Sequence, residues 1–335
     1  MSYEIDAILQ RFQSTCEHWQ GRIGRMEKKA QYAYVWHPPR EDEGLSARAK
    51  AVALSFQAIT HGNEVGGIEV LLALLELLGS GVVSCPLPLG FILGNPEAAR
   101  ADRRYLESDL NRSFGQKSQA SMEQKRAHAL EPLLEESLFF LDFHQTIEPT
   151  LSPFFIFPYA PSSYQFAAAL HQQIPIVTHW GRPFSHDGMC SDEYVNYRGG
   201  IGITLELGQK RFDAYHAGVG LQVALSAVQY VLGFVKGNAK TSLERAEGAL
   251  YTWKSVVAYE AGMTLREGLV NFQVLKVGDH LGFTADRKDI RAKADGWLLF
   301  PKYPRDPAAP PAKEIYRIIK RILPEDLGRQ GVLET

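Results

Sequence analysis

Short apolar runs of strand length alternate with longer helical patterns through most of this chain, and that alternation limits its fold more than any other feature. "AVALSF" (51–56) precedes the leucine-rich stretch 65–79, and "PLGFILGN" (88–95) follows it. The helical pattern "MEQKRAHALEPLLEE" (122–136) leads into "LFFLDFH" (138–144). Later "GIGITLELG" (200–208) precedes a helix through "GVGLQVALSAVQYVLGFV" (218–235). Strands and helices in turn predict an α/β layer with a largely parallel sheet flanked by helices. Such sheets place ligand sites in the crevice beyond the carboxyl ends of their strands.

Both ends of the chain depart from this rhythm. Ile5, Ile8, Leu9 and Phe12 recur at helical spacing, and "QYAYVWH" alternates like a strand. The polar segment 236–248 reads as a linker. Beyond it, short strands broken by Gly and Asp turns predict a smaller all-β domain, barrel or sandwich in style. The expected division is therefore an α/β domain over 1–248 and a β-rich domain over 249–335. In the tail, "VGDHLGFT" and "IRAKADGWLLFP" look like lipoyl- or biotinyl-style hairpins but lack the tip Lys that would carry such a group. The expected role of this domain is to wall the active site.

A formal net charge of −2 argues against a broad nucleic-acid-binding face. No uncharged apolar run is expected to span a bilayer, since "VLLALLELLGSGVV" is too short and contains Glu76. The acidic start "MSYEIDAILQRFQ" is unlike a secretory leader, so the expected location is the cytoplasm. Cys16, Cys85 and Cys190 are few, odd in number and far apart, which suits reduced structural thiols.

The chemistry gathers at predicted strand ends. His61 and Glu64 lie in "HGNE", just past the first strand. A His-x-x-Glu pair alone is weak, because chance supplies on the order of one in such a chain. His144 ends another strand and Glu206 lies near the end of a third, so all can converge on one sheet edge. His61, Glu64 and His144 form a His2Glu set that leaves zinc one open position for water. Zinc brings the pKa of such a water toward about 7. A carboxylate that is not a ligand must then move its proton, and Glu206 is the candidate. The alternatives are a polar turn for the pair, a hydrogen-bonded strand end for His144 and a half-exposed strand position for Glu206. Asn111 and Arg112 fall in a loop, where an Arg can grip a carboxylate through two bonds and an Asn can add a directional contact. "SHDGMCSDE" offers a rival cation site in His186, Asp187, Cys190 and Asp192, although a mobile lid suits its turn residues better.

"HGNE", "GNP", "RYLESDLNRSF", "LDFH" and "TLELG", in this order, resemble the succinylglutamate desuccinylase/aspartoacylase family, a branch of the zinc-carboxypeptidase-like hydrolases. The resemblance covers residues 50–208 well and the β-rich tail more loosely. It implies a zinc-carboxypeptidase-like α/β fold and one Zn2+ per chain on His61, Glu64 and His144. It also implies Glu206 as general base, and Arg104 (with Arg103 as its neighbour) polarising the scissile carbonyl. Asn111 and Arg112 are implied to hold the substrate's carboxylate. The implied reaction converts a small N-acyl amino acid into a carboxylate and a free amine. Glu148 stands where relatives in the desuccinylase branch tend to carry a basic residue, which argues against a succinyl group. Tyr194 and Arg198 resemble a Tyr and an Arg that precede the base in aspartoacylases, although Arg198 stands unusually near Glu206.

Two other readings stay open: a metallocarboxypeptidase acting on short peptides, and a non-catalytic metal-binding scaffold of the same fold. The expected partner is the small-molecule substrate, with neither nucleic acid nor membrane. A homo-oligomer is compatible with the chain, although nothing in the sequence sets that state.

Overall fold

The computed structural model of the chain describes residues 5–19, 23–40, 50–181, 188–238, 249–303 and 313–329. Helix α1 (Ile5–Glu17) precedes an edge hairpin, β1 (Arg25–Ala30) and β2 (Ala33–His37). Next come β3 (Val52–Ala58), α2 (Gly66–Gly79), β4 (Leu89–Leu93), α3 (Pro96–Arg100) and α4 (Met122–Glu136). The middle of the chain holds β5 (Ser137–Thr146), β6 (Phe154–Pro158), α5 (Pro161–Leu170) and β7 (Ile176–His179). It closes with α6 (Ser191–Tyr197), β8 (Ile201–Gln209) and α7 (Ala214–Val235). The strands that follow are β9 (Leu250–Ala258), β10 (Thr264–Leu265), β11 (Val274–Leu275) and β12 (His280–Phe283). The last three are β13 (Asp289–Arg291), β14 (Gly296–Leu299) and β15 (Glu314–Ile322).

One mixed sheet of twelve strands runs β1-β2-β4-β3-β5-β8-β6-β7-β9-β15-β14-β11. Its centre, β4-β3-β5-β8, is parallel. Buried on both faces, these strands read as near-continuous apolar runs, and all seven residues of β3 are buried. The expected α/β architecture is therefore present. Strands β9, β15, β14 and β11 continue this sheet through the parallel pairing of β7 with β9, while β10-β12-β13 form a separate antiparallel sheet. The expected linker falls mainly on 239–248, outside the described residues.

Helix α7 corrects one expectation. It carries no Asp, Glu, Lys or Arg over 22 residues and is long and apolar enough to cross a bilayer. Its His and Gln residues break the apolar run in the sequence. In the fold, Val223, Ala224, Ala227, Val231 and neighbouring residues are buried as it packs on α2 and α5. The free cysteines Cys16, Cys85 and Cys190 are all buried.

Candidate metal centre and active site

Strand β3 ends in a strained bend. Ile59 adopts φ +51°, a conformation that β-branched residues rarely take, at a cost on the order of 1–3 kcal/mol. The bend is held from outside: the Gly94 and Asn95 amides donate to Ala58 O and Ile59 O, both at 2.8 Å. Two glycines are required here because backbone crosses backbone. A Cβ on Gly62 would lie 2.3 Å from the Ala98 carbonyl carbon, and one on Gly94 would lie 2.9 Å from Thr60 Cα. "HGNE" and "GNP" are thus two halves of one clamp. Arg126 of α4 closes it by donating to Leu93 O and Gly94 O, each at 2.7 Å.

The clamp presents two rings to one carboxylate. His61 Nδ1 lies 2.8 Å from Glu64 Oε1, and His144 Nδ1, from the end of β5, lies 2.9 Å from Glu64 Oε2. All three residues are buried, and a ligand atom from each lies within 4.8 Å of the others. The opposite ring nitrogens also face carboxylates: His61 Nε2 is 3.2 Å from Asp109 and His144 Nε2 is 3.1 Å from Asp142. With a metal held between the rings and Glu64, a proton kept on each Nε2 by these acids would leave each Nδ1 lone pair free to ligate, as in metal-binding histidines held by an acid behind them. Asp142, fully buried, is fixed by Thr60 Oγ1 at 2.8 Å and Ser191 Oγ at 2.6 Å. The donor set fits a divalent ion of the zinc type.

Electrostatics prepare the set. Burial opposes the charge on Glu64, but the two imidazoles outweigh it and hold the carboxyl below its usual range. Burial likewise opposes an imidazolium at His144, yet Asp142 and Glu64 raise that ring well above its usual range. Partial burial opposes the charge on half-buried Asp109, but Arg104 and the hydrogen-bonded His61 hold its carboxyl well below the ordinary range.

Glu206 of β8 stands in register with His144 on one side and with Phe154 of β6 on the other. It is buried, and its Oε2 has no hydrogen-bond partner among the described residues. Burial and the nearby Glu64 push its carboxyl up to about 8. A buried polar atom left unsatisfied costs about 1–3 kcal/mol, so this group contributes nothing to stability that an apolar residue would not.

Arg104 spans Glu64 Oε1 at 3.5 Å and Asp109 Oδ2 at 3.2 Å. Its loop is pinned by buried Glu123 of α4, which accepts from the amides of Leu106 (2.6 Å), Ser108 (3.0 Å) and Glu107 (3.2 Å). Asn111, tied to Asp109 through its own amide at 2.9 Å, accepts from Ser191 N at 3.0 Å. Its Nδ2 makes no hydrogen bond among the described residues. Arg112 donates to Asn111 O and to Cys190 Sγ.

Tyr194 and Arg198 are not brought to this site. Both bind Glu135 Oε1, at 2.5 and 2.6 Å, beside Lys50, which donates to Arg198 O. Lys50 precedes β3 and Arg198 precedes β8, so this group lies at the opposite end of the parallel strands. Of the rival cluster, His186 and Asp187 lie outside the described residues; Cys190 contacts Arg112 and Asp192 is buried with its Oδ1 on the Glu193 amide. Asp109 and Asp142 were not anticipated as partners of the histidines. Asp142 carried a signal, being two residues before His144 on the same strand face.

Residues 50–230, over half of the chain, match the family described as the succinylglutamate desuccinylase/aspartoacylase catalytic domain. A succinylglutamate desuccinylase of Serratia proteamaculans is 31% identical over 278 residues, covering 75% of this chain and 80% of that protein. One from Pseudomonas paraeruginosa is 31% identical over a shorter stretch, 182 residues, or 54% of that protein. Among solved structures, a succinylglutamate desuccinylase of Chromobacterium violaceum superposes with a TM-score of 0.64 at 19% identity, over 93% of this chain and 98% of that one. Murine aminoacylase 3 gives 0.63 at 19% identity, over 82% and 97%. At such identities the superpositions establish the shared fold. With the sequence matches and the HGNE–GNP clamp, they lead to one conclusion: the chain belongs to the succinylglutamate desuccinylase/aspartoacylase family.

Proposed function

We propose that this protein is a zinc-dependent amidohydrolase that cleaves a small N-acyl amino acid into a carboxylate and a free amine. The observation that carries the reading is the convergence of His61 Nδ1, His144 Nδ1 and Glu64 beside a buried carboxyl, Glu206, with a partnerless oxygen. The relatives named as desuccinylases and an aminoacylase support the amide-hydrolysing class.

His61, Glu64 and His144 would hold one zinc ion, which when bound makes water nucleophilic near neutral pH and polarises the carbonyl. Glu206 takes a proton from the attacking water and delivers it to the leaving nitrogen. A carboxyl placed in this way is held between donor and acceptor roles, which both half-steps need. Arg104 faces the oxygen that gains charge as the carbonyl becomes tetrahedral. Asn111 Nδ2 and Arg112 bind the α-carboxylate and fix the scissile bond over the site. Arg198 and Tyr194 have no part in this scheme, being engaged by Glu135.

The test is turnover by zinc-loaded protein on N-acyl amino acids, their α-amides and dipeptides. Hydrolysis of the N-acyl amino acids, with KM raised for the α-amides, is the expected result. Preferred hydrolysis of dipeptides would make the protein a carboxypeptidase. No hydrolysis with zinc bound would leave a metal-binding scaffold.

A further inference from the structure

Asn111 and His144 belong to the two halves of the site, the loop that would grip a carboxylate and the strand end that would hold the metal. Ser191, the first residue of α6, reaches toward both. Its amide donates to Asn111 Oδ1 at 3.0 Å, and its hydroxyl donates to Asp142 Oδ2 at 2.6 Å. The same Asp142 oxygen lies 3.1 Å from His144 Nε2. A short chain of polar contacts thus joins the Asn111 amide to a metal-ligand ring through a serine that is fully buried.

The backbone on either side of Ser191 is tightly seated. Before it, Met189 bridges to Phe114 in antiparallel fashion, and a Cβ on Gly188 would overlap Arg112 O. After it, a Cβ on Gly202 of β8 would lie 2.6 Å from Asp192 O. Asp142 also accepts from Thr60 Oγ1 at 2.8 Å and Gln57 Nε2 at 3.2 Å, but those donors come from β3 and the turn that follows it. Among these three donors, Ser191 is the one that also holds the carboxylate-binding loop.

The open end of the chain is Asn111 Nδ2, which makes no hydrogen bond among the described residues. A carboxylate accepting from Nδ2 would polarise the amide and make Oδ1 a better acceptor for Ser191 N. Bonds linked in this way strengthen one another by about 10–30% each. A firmer hold on the Ser191 backbone fixes where its hydroxyl points, and so steadies Asp142 behind His144. An acid in that position orients a ligating imidazole and sets its affinity for metal.

We propose that Ser191 is a positioning residue that couples carboxylate binding at Asn111 to zinc binding at His144, each ligand tightening the other. The proposal rests on the metal and carboxylate placements of the hydrolase reading given above. By linkage the effect is reciprocal, so it can be read from the zinc side alone.

Zinc affinity is measured by chelator competition in Glu206→Gln protein, which holds its ligands without turning them over. The measurement is made alone and with equal, high concentrations of N-acetylalanine or its α-amide. N-Acetylalanine should tighten zinc about fivefold more than the amide does. Ser191→Ala should shrink that difference to within about twofold, and Ser191→Thr, which keeps the hydroxyl, should restore most of it. Asn111→Leu keeps its own amide for Asp109 but offers Ser191 no acceptor, and should weaken ligand-free zinc binding about threefold. Zinc binding unchanged in Asn111→Leu would contradict the coupling. A serine with a merely structural role would lower zinc affinity in Ser191→Ala and leave the difference between carboxylate and amide intact. That result would overturn the proposal, as would no such difference in the protein with Ser191. Turnover with Glu206 intact is scored separately. Coupling without turnover would sink only the hydrolase reading, and turnover without coupling would sink only this proposal.

Discussion

The two ends of the parallel strands β3, β5 and β8 hold similar side chains in opposite conditions. At the amino end, Lys50, Glu135, Tyr194 and Arg198 satisfy one another near the surface, with Arg198 and Glu135 side chains 43% and 37% exposed. At the carboxyl end, Glu64, His144, Asp142 and Glu206 are buried, and one Glu206 oxygen is left without a partner. The first arrangement closes the sheet at little cost, because exposed ion pairs are worth only about 0–1 kcal/mol. The second concentrates charge where burial is expensive, and it is held there by a strained Ile59 and a doubly crossed backbone. The difference separates polar residues that finish a fold from those that a fold is built to present.

Substitutions at the two ends should therefore behave differently. Glu206→Gln should cut turnover by about a hundredfold or more with zinc still bound, as loss of a general base does; steady-state kinetics with metal analysis would show it. Unchanged turnover would remove Glu206 from the mechanism. Asp142→Asn should weaken zinc binding by about tenfold to a hundredfold, since the acid behind a ligating histidine sets its tautomer and basicity. Competition with a chelator reads that effect.

Zinc binding should also depend on pH. His144, whose ring is raised well above its usual range, must give up the Nδ1 proton before it can ligate, so at pH 7 binding should release about one proton from this residue. Affinity should rise with pH until His144 is neutral without metal and fall about tenfold per unit below that point. Calorimetry in buffers of different ionisation enthalpy counts the protons, and a count of zero would mean that the ring is already neutral. Smallest of all, Glu135→Gln should cost no more than about 1 kcal/mol by denaturant melting and leave kcat/KM unchanged. A large loss of activity there would erase the contrast between the ends.

Much of the site was legible because its key residues follow strand ends. His61 and Glu64 share one turn, while His144 and Glu206 end neighbouring strands, and the sheet rule brings such positions together. Arg198 shows where nearness in sequence misleads. Seven residues lie between it and Glu206, but Arg198 precedes β8 and Glu206 sits well along it, and the extended stretch from Ile201 to Glu206 alone spans roughly 17 Å. Asp109 was hidden for the reverse reason. It reaches His61 only because Glu123, far along the chain, accepts three amides of the loop before it. The C-terminal strands were read correctly as β, but their continuation of the main sheet depends on a single parallel pairing, β7 with β9, across a stretch with no periodic signal. A boundary near 248 remains a proposal that limited proteolysis would test by cutting there first.

The most direct test of the account is zinc content per chain for wild type and His144→Ala, measured side by side after zinc is added back and excess removed. Three ligands gathered from two distant strand ends predict about one zinc in wild type and little in the variant. Equal zinc in both proteins would mean that His144 is no ligand, and the metal centre described here would be wrong.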